Sequence, residues 1–339
     1  MTIKTRVSVI GAGAWGTALA ILANRASSDV TLWTRNKTVL HTIRDKRINE
    51  AYLKGCFLDP SIYVTDELAQ VSDCDLLILS TPSQSVRTAC IALSDIIDPK
   101  LPILISSKGI ERGSLALMSE VVASILPANP LAVLSGPNFA LEAASGLPTA
   151  TTLACGDAVL AEQMSYAIGG RNFRPYLTDD LIGTQVGGAT KNVIALACGI
   201  AEGKKLGENA RAALITRGLA EMMRLARVRG GREETLMGLC GIGDLVLTCT
   251  SAQSRNFALG VELGKGTPVR DALPGHLHGL TEGVVTADSI YEVSIKQGIS
   301  MPICTAVYHI LKGHMTVAEG ISDLLGRPFA SEGEIRRRA

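Results

Sequence analysis

The stretch Arg6 to Ala20, RVSVIGAGAWGTALA, leaves a chain few ways to fold. Arg6 to Ile10 has the β-branched composition of a buried strand. Gly11, Gly13 and Gly16 follow in a Gly-x-Gly-x-x-Gly spacing, and Thr17 to Leu22 continues as small and apolar residues suited to a helix packed on a sheet. Each glycine has its own physical task. Gly11 admits the tight strand-to-helix turn, Gly13 leaves the backbone bare for a pyrophosphate, and Gly16 lets the helix lie close to the strand. The helix N-terminus then offers free N–H groups and a positive dipole end to the phosphates. With a strand before it and a helix after it, the triplet reads as a dinucleotide site.

Val30 to Thr34 reads as the second strand of the same βαβ unit. At its end a dinucleotide fold places the group that meets the adenosine ribose, an Asp or Glu where NAD is preferred. Here the strand ends in Thr34-Arg35, followed by Asn36 and Lys37, and Arg35 is either a cofactor contact or a solvated side chain in a polar loop. An acid would repel a 2′-phosphate, whereas Arg35 can pair with it, so the sequence points to NADP and leaves NAD open. Asp75–Ser80, Leu101–Ser107 and Leu131–Ser135 read as further buried strands, and Thr149–Ala154 and Phe173–Leu177 as edge strands. Ser83–Ala92 and Ser114–Ile125 read as helices between them. This alternation predicts an α/β fold: an N-terminal Rossmann-type doubly wound sheet. Ligands of such sheets lie outside the carboxyl ends of the strands. Thr81-Pro82, Lys108-Gly109 and Gly136-Pro137-Asn138 fall at those ends.

From Leu181 strand-like runs nearly vanish. Leu181–Glu202, Ala210–Arg229, Arg255–Leu263, Thr281–Gln297 and Pro302–Leu311 read as helices. The expected organisation is therefore a dinucleotide-binding domain over residues 1–180 and an all-α C-terminal substrate domain over 181–339. A net charge of +1 argues against wholesale binding of nucleic acid or a membrane surface. The longest apolar stretch, Asn192 to Ala201, falls short of the about 20 residues that span a bilayer, so no stable membrane insertion is expected. The eight cysteines show no C-x-x-C spacing, and most sit in apolar runs as buried thiols would. No leader is expected ahead of the first strand, and a reduced, cytoplasmic setting follows. Arg336-Arg337-Arg338 reads as a solvated tail.

Four short pieces carry candidate chemistry. Ser106-Ser107-Lys108-Gly109 puts a lysine at a strand's carboxyl end. Lys191 lies between Gly188 and Ala195 on a face where close packing would bury it. That is a costly place for a charge, although a lysine can also snorkel to the surface. Asp244 follows Gly241-Ile242-Gly243, where an Asp can equally serve a turn. Ser254-Arg255-Asn256 heads a helix, as a cap, a phosphate cradle, or both. His276 and His278 read as loop histidines, and no metal is expected.

These pieces, with GAGAWGTALA, SSKGIE, SGPNFA, GGATKNVIALACGIAEG, GIGDLVLTCTS and TEGVVTA, run in an order that resembles the bacterial NAD(P)-dependent glycerol-3-phosphate dehydrogenase family. The resemblance covers nearly the whole chain. It implies interconversion of sn-glycerol 3-phosphate and dihydroxyacetone phosphate, which supplies phospholipid synthesis, by a cytoplasmic homodimer. Carried over by position, it implies Lys191 as the general acid/base. It also implies substrate contacts from Lys108, Gly136, Asn138, Lys191, Asp244, Ser254, Arg255 and Asn256. Cofactor contacts would come from Gly11, Gly13, Ala14, Trp15, Gly16, Arg35, Lys108, Ala140, Arg255, Leu280 and Glu282. Asn138 departs from the Ser that many members carry. A 6-phosphogluconate or ketopantoate dehydrogenase of similar build, or a non-catalytic NADP sensor, is the competing reading. The Ser-Arg-Asn and Gly-Ile-Gly-Asp pieces argue against the first, and the convergent lysines against the second.

Overall fold

The computed structural model describes residues 4–275 and 281–328. Leu280, His276, His278 and the Arg336–Arg338 tail lie outside the described residues.

Strand β1 (Arg6–Ile10) and helix α1 (Ala14–Arg25) flank the glycine turn. Gly11 sits at φ +109°, and a Cβ there would stand 2.7 Å from the Ser80 carbonyl oxygen. One on Gly16 would overlap the Gly11 carbonyl oxygen at 1.8 Å, while one on Gly13 would meet nothing within 4 Å. The first and third glycines therefore serve packing, and the second keeps open space above the helix start. The chain continues through β2 (Asp29–Trp33), α2 (Lys37–Lys46), β3 (Ile48–Asn49), β4 (Leu53–Phe57), β5 (Tyr63–Thr65) and β6 (Leu76–Leu79). Next come α3 (Val86–Leu93), β7 (Ile103–Ile105), α4 (Met118–Ala123), β8 (Leu131–Ser135), α5 (Ala140–Ala144), β9 (Thr149–Cys155), α6 (Ala158–Ile168) and β10 (Phe173–Thr178).

Strands β3 and β4 pair as a small antiparallel sheet. The other eight form one sheet in the order β10-β9-β8-β7-β6-β1-β2-β5. Its pairings are parallel except β8 with β9. Strand order runs outward in both directions from the β1–β6 pair, which opens a crevice at their carboxyl ends. Alternate residues feed two cores. Val7, Val9, Leu76, Ile78 and Leu104 pack with α1 and α6, and Ile10, Leu77, Leu79, Ile103 and Ile105 pack with α3 and α4.

Two expectations need correction. Thr149–Ala154 lies one strand in from the edge, antiparallel to β8, and of the two proposed edge strands Phe173–Leu177 alone is one. The helix expected over Ser114–Ile125 shortens to Met118–Ala123. Leu115 and Leu117 both serve the core of the helical half, and a helix would point residues two apart in nearly opposite directions. Thr34 to Asn36 form a short connection with Arg35 exposed, and Asn36 Oδ1 caps α2 by accepting from the Thr38 and Val39 N–H groups at 3.0 and 3.2 Å.

From Leu181 onward the described chain is helical. It runs through α7 (Leu181–Gly203), α8 (Glu208–Arg229), α9 (Glu233–Leu236), a π-helical turn (Leu239–Gly243) and α10 (Asp244–Thr250). Then follow α11 (Arg255–Gly264), α12 (Val269–Gly275), α13 (Glu282–Gln297), α14 (Pro302–Leu311) and α15 (Val317–Leu325). Helix α7 is the axis of this half, buried from Gly183 to Ala201. Helix α11 crosses it backbone to backbone. A Cβ on Gly199 would meet the Phe257 carbonyl oxygen at 2.1 Å, and one on Gly260 that of Leu196 at 2.3 Å. Gly203 and Gly264 repeat the contact one turn on, at 2.3 Å from the Val261 and 2.4 Å from the Ile200 carbonyl oxygen. No described helix is long and apolar enough to cross a membrane. All eight cysteines are free thiols, and seven are buried.

Candidate active site

Beyond β7 the chain is fastened to the sheet before it turns outward. The Ser106 hydroxyl donates to the Leu79 carbonyl at 3.0 Å and that of Ser107 to the Thr81 carbonyl at 2.5 Å. Lys108 thus leaves from the carboxyl edge, and its Nζ donates to the Gly136 carbonyl at 3.1 Å and to Asp244 Oδ2 at 2.7 Å. The other oxygen of the same carboxylate accepts from Lys191 Nζ. Lys191 also donates to Thr248 Oγ1 at 3.0 Å, and that hydroxyl donates to the Asp244 carbonyl one turn back at 2.6 Å. One carboxylate, 1% exposed, therefore lies between two ammonium groups whose side chains are 20% and 10% exposed.

The small residues flanking Lys191 are what bring this array together. A Cβ on Gly188 would stand 2.6 Å from Ser135 Oγ and 3.3 Å from the Lys108 stem, and one on Gly187 would stand 2.3 Å from the Cys240 carbonyl oxygen. Without side chains at these two positions, α7 settles against both the sheet edge and the turn that carries Asp244. Burial pushes the Lys191 ammonium down to about 8; Asp244 opposes the shift and Lys108 adds to it.

A second group of residues adjoins this one. Ser254 caps α11, accepting from the Phe257 N–H at 3.3 Å, and Arg255 is the exposed first residue of that helix. Asn256 donates to Asn192 Oδ1 and accepts from the Gly283 N–H, both at 3.0 Å, so its amide ties α11 to α7 and α13. Glu282 opens α13 and accepts from the Ser83 N–H and hydroxyl at 3.1 and 2.6 Å. Burial raises its pKa, while Ser83 and the facing Arg255 pull it back.

The remaining expected positions lie along the sheet's carboxyl edge. Ala14 and Ala140 are the first residues of α1 and α5, and Arg35 is exposed just past β2. Asn138 does not join the lysines. With its amide turned to satisfy both ends, it donates to the Pro137 and Ala150 carbonyls at 3.2 Å and accepts from Thr151 Oγ1 at 2.9 Å. A dinucleotide fits the crevice on two observations. The start of α1 is open above Gly13, and Trp15 Nε1 and Thr81 Oγ1 are buried with no protein partner. The sequence reading missed Thr248 and Asn192. Thr248 stands four residues after Asp244, one helical turn, which is a readable signal; Asn192 gave none beyond its place beside Lys191.

A dinucleotide cradle with charged side chains gathered at the same sheet edge has the build of a nicotinamide-dependent oxidoreductase. The chain belongs to the NAD-dependent glycerol-3-phosphate dehydrogenase family, whose N-terminal model matches residues 6–161 and whose C-terminal model matches residues 180–322. It is 49% identical to the glycerol-3-phosphate dehydrogenase [NAD(P)+] of Caulobacter vibrioides, over 96% of this chain and 98% of that one. It is 47% identical to the Maricaulis maris protein of the same name, over the same shares. The crystal structure of glycerol-3-phosphate dehydrogenase from Coxiella burnetii superimposes with a TM-score of 0.92 at 38% identity, over 96% of this chain and 99% of that one.

Proposed function

We propose that residues 1–180 hold NADP, or NAD, and residues 181–339 hold dihydroxyacetone phosphate, with Lys191 as the proton carrier of a reversible glycerol-3-phosphate dehydrogenase. The observation that carries this is the Lys108–Asp244–Lys191 array at the sheet's carboxyl edge. The bound nicotinamide supplies or takes the hydride. During reduction, negative charge grows on the ketone oxygen. Protonated Lys191 stabilises that charge and gives up its proton to the oxygen, leaving a neutral amine and an alcohol. Lys108 adds positive charge beside it, and Asp244 holds both ammonium groups in place. Arg255 and the start of α11 meet the substrate phosphate, as a helix N-terminus with a guanidinium does. The lysine array also speaks against the sensor reading, since holding a nucleotide needs no buried ammonium there. Within the same proposal the enzyme is a cytoplasmic homodimer that feeds phospholipid synthesis, on the strength of the family resemblance.

The deciding experiment follows loss of reduced-nicotinamide absorbance with dihydroxyacetone phosphate, run with NADPH and again with NADH. Absence of turnover with both overturns the assignment. The lowered pKa of Lys191 fixes the pH dependence. Reduction needs the protonated amine, so kcat is expected to fall as pH rises through about 8. Oxidation of glycerol 3-phosphate needs the neutral amine and is expected to rise through the same region. Asp244→Asn removes the group that holds the pKa up, so both limbs move to lower pH. Profiles of kcat in the two directions check this. Arg255→Ala is expected to raise KM for dihydroxyacetone phosphate by about 30-fold or more, the effect of removing one partner of a charge pair. An unchanged KM would remove Arg255 from the phosphate site.

A further inference from the structure

Glu282 belongs to the helical half, yet both its carboxylate oxygens are bonded to one residue of the sheet half, Ser83. Ser83 is 1% exposed and opens the short turn Ser83–Ser85 beyond β6, the strand beside β1. Gly109, the neighbour of Lys108, closes over it. A Cβ there would stand 2.5 Å from Ser83 Oγ and 3.6 Å from Glu282 Oε2. Ser83, Glu282 and the Lys108 segment are thus in mutual contact at the mouth of the crevice.

We propose that Ser83 is a positioning residue for the cofactor: it fixes the Glu282 carboxylate at the carboxyl edge of the sheet. This rests on the proposed nucleotide site and on the cofactor contact from Glu282 that the family resemblance implies. A glutamate has three rotatable torsions, and a carboxylate able to swing across the cleft offers an acceptor in many places. Two donors from one residue leave it one orientation. Each oxygen still has a lone pair for an incoming amide or hydroxyl donor. Burial disfavours the ionised form of Glu282, and the two Ser83 donors favour it. Helix α13 is fastened separately, by Arg112 Nη2 to Asp288 at 2.7 Å and by the Ser289 hydroxyl to the Ile110 carbonyl at 3.2 Å. Loss of the Ser83 hydroxyl therefore frees the carboxylate without releasing the helix.

The test is a double-mutant cycle on Ser83→Ala and Glu282→Ala, read by fluorescence titration of NADPH, or of NADH if that is the better reductant. Ser83→Ala is expected to weaken nucleotide binding about tenfold, the loss of one hydrogen bond to a charged group. The double variant is expected to bind no more weakly than Glu282→Ala alone. In Ser83→Ala the urea midpoint and the KM for dihydroxyacetone phosphate stay at native values while the KM for the nucleotide rises. Native nucleotide binding by Ser83→Ala, with weakened binding by Glu282→Ala, overturns the positioning role alone. Native binding by Glu282→Ala overturns the assignment of Glu282 and the proposal with it. Additive losses with a lowered midpoint in Ser83→Ala show a role in the fold only, and overturn the proposal as well.

Discussion

Lys191→Ala is expected to lose at least about a thousandfold in kcat for dihydroxyacetone phosphate reduction while binding NADPH as the native chain does. On the proposed mechanism the substitution removes the proton donor and one of the two charges that meet the growing oxyanion. It leaves Asp244 paired with Lys108 alone, a neutral pair, so the fold is not asked to hold an unmatched charge. Lys191→Arg separates the two contributions. Arginine keeps the charge but does not give up its proton near neutral pH. It should therefore bind substrate and remain nearly as slow as the alanine variant. Steady-state turnover with a parallel fluorescence titration checks both variants. Near-native kcat in Lys191→Ala would remove the residue from the chemistry.

Asp244→Ala has the larger effect on stability. It strands two ammonium groups that now share one buried carboxylate, and a broken buried pair is worth about 3–5 kcal/mol. Part of that loss depends on pH, with a definite sign. Without Asp244 the folded-state pKa of Lys191 falls below its present value of about 8, whereas in the unfolded chain it returns to the ordinary 10.5. Between those values the unfolded chain binds more protons, so stability rises with pH. Relative to the native chain, the variant should be most destabilised below its own Lys191 pKa and recover part of that loss by about pH 8, above which both chains gain stability together. Urea unfolding of the native chain and the variant, at about pH 8 and about two units lower, measures it. Equal destabilisation at both would show that a lost packing contact, not stranded charge, is responsible.

Much of the sheet was legible because its strands are buried on both faces and read as short apolar runs between breakers. The glycine turn was legible because each glycine answers a separate steric demand. Other elements were hidden for identifiable reasons. Helix α2 begins at Lys37 straight after the polar Arg35-Asn36, and the signal for its start is the capping role of Asn36. The segment from Ser114 to Leu117 has helical composition, but Leu115 and Leu117 answer to the core of the other half of the molecule, which no local pattern reveals. In the site, Lys108, Lys191 and Asp244 stood out because each is a charge in a small or apolar setting. That one carboxylate serves both lysines is a tertiary fact. So is the use of the Asn256 amide to join three helices, and the turning of Asn138 toward Ala150 and Thr151.

The crossing of α7 and α11 has a consequence for how Lys191 and Arg255 are carried. Lys191 lies eight residues before Gly199, about 12 Å of helix, and Arg255 five before Gly260, about 7.5 Å. Where the two helices meet there is bare main chain on both sides, so no side chain can change rotamer to widen the gap. The pair behaves as a calliper locked at one setting. It keeps the main chain at Lys191 and the main chain at Arg255 at one separation, so any adjustment between the two residues has to come from their own side chains.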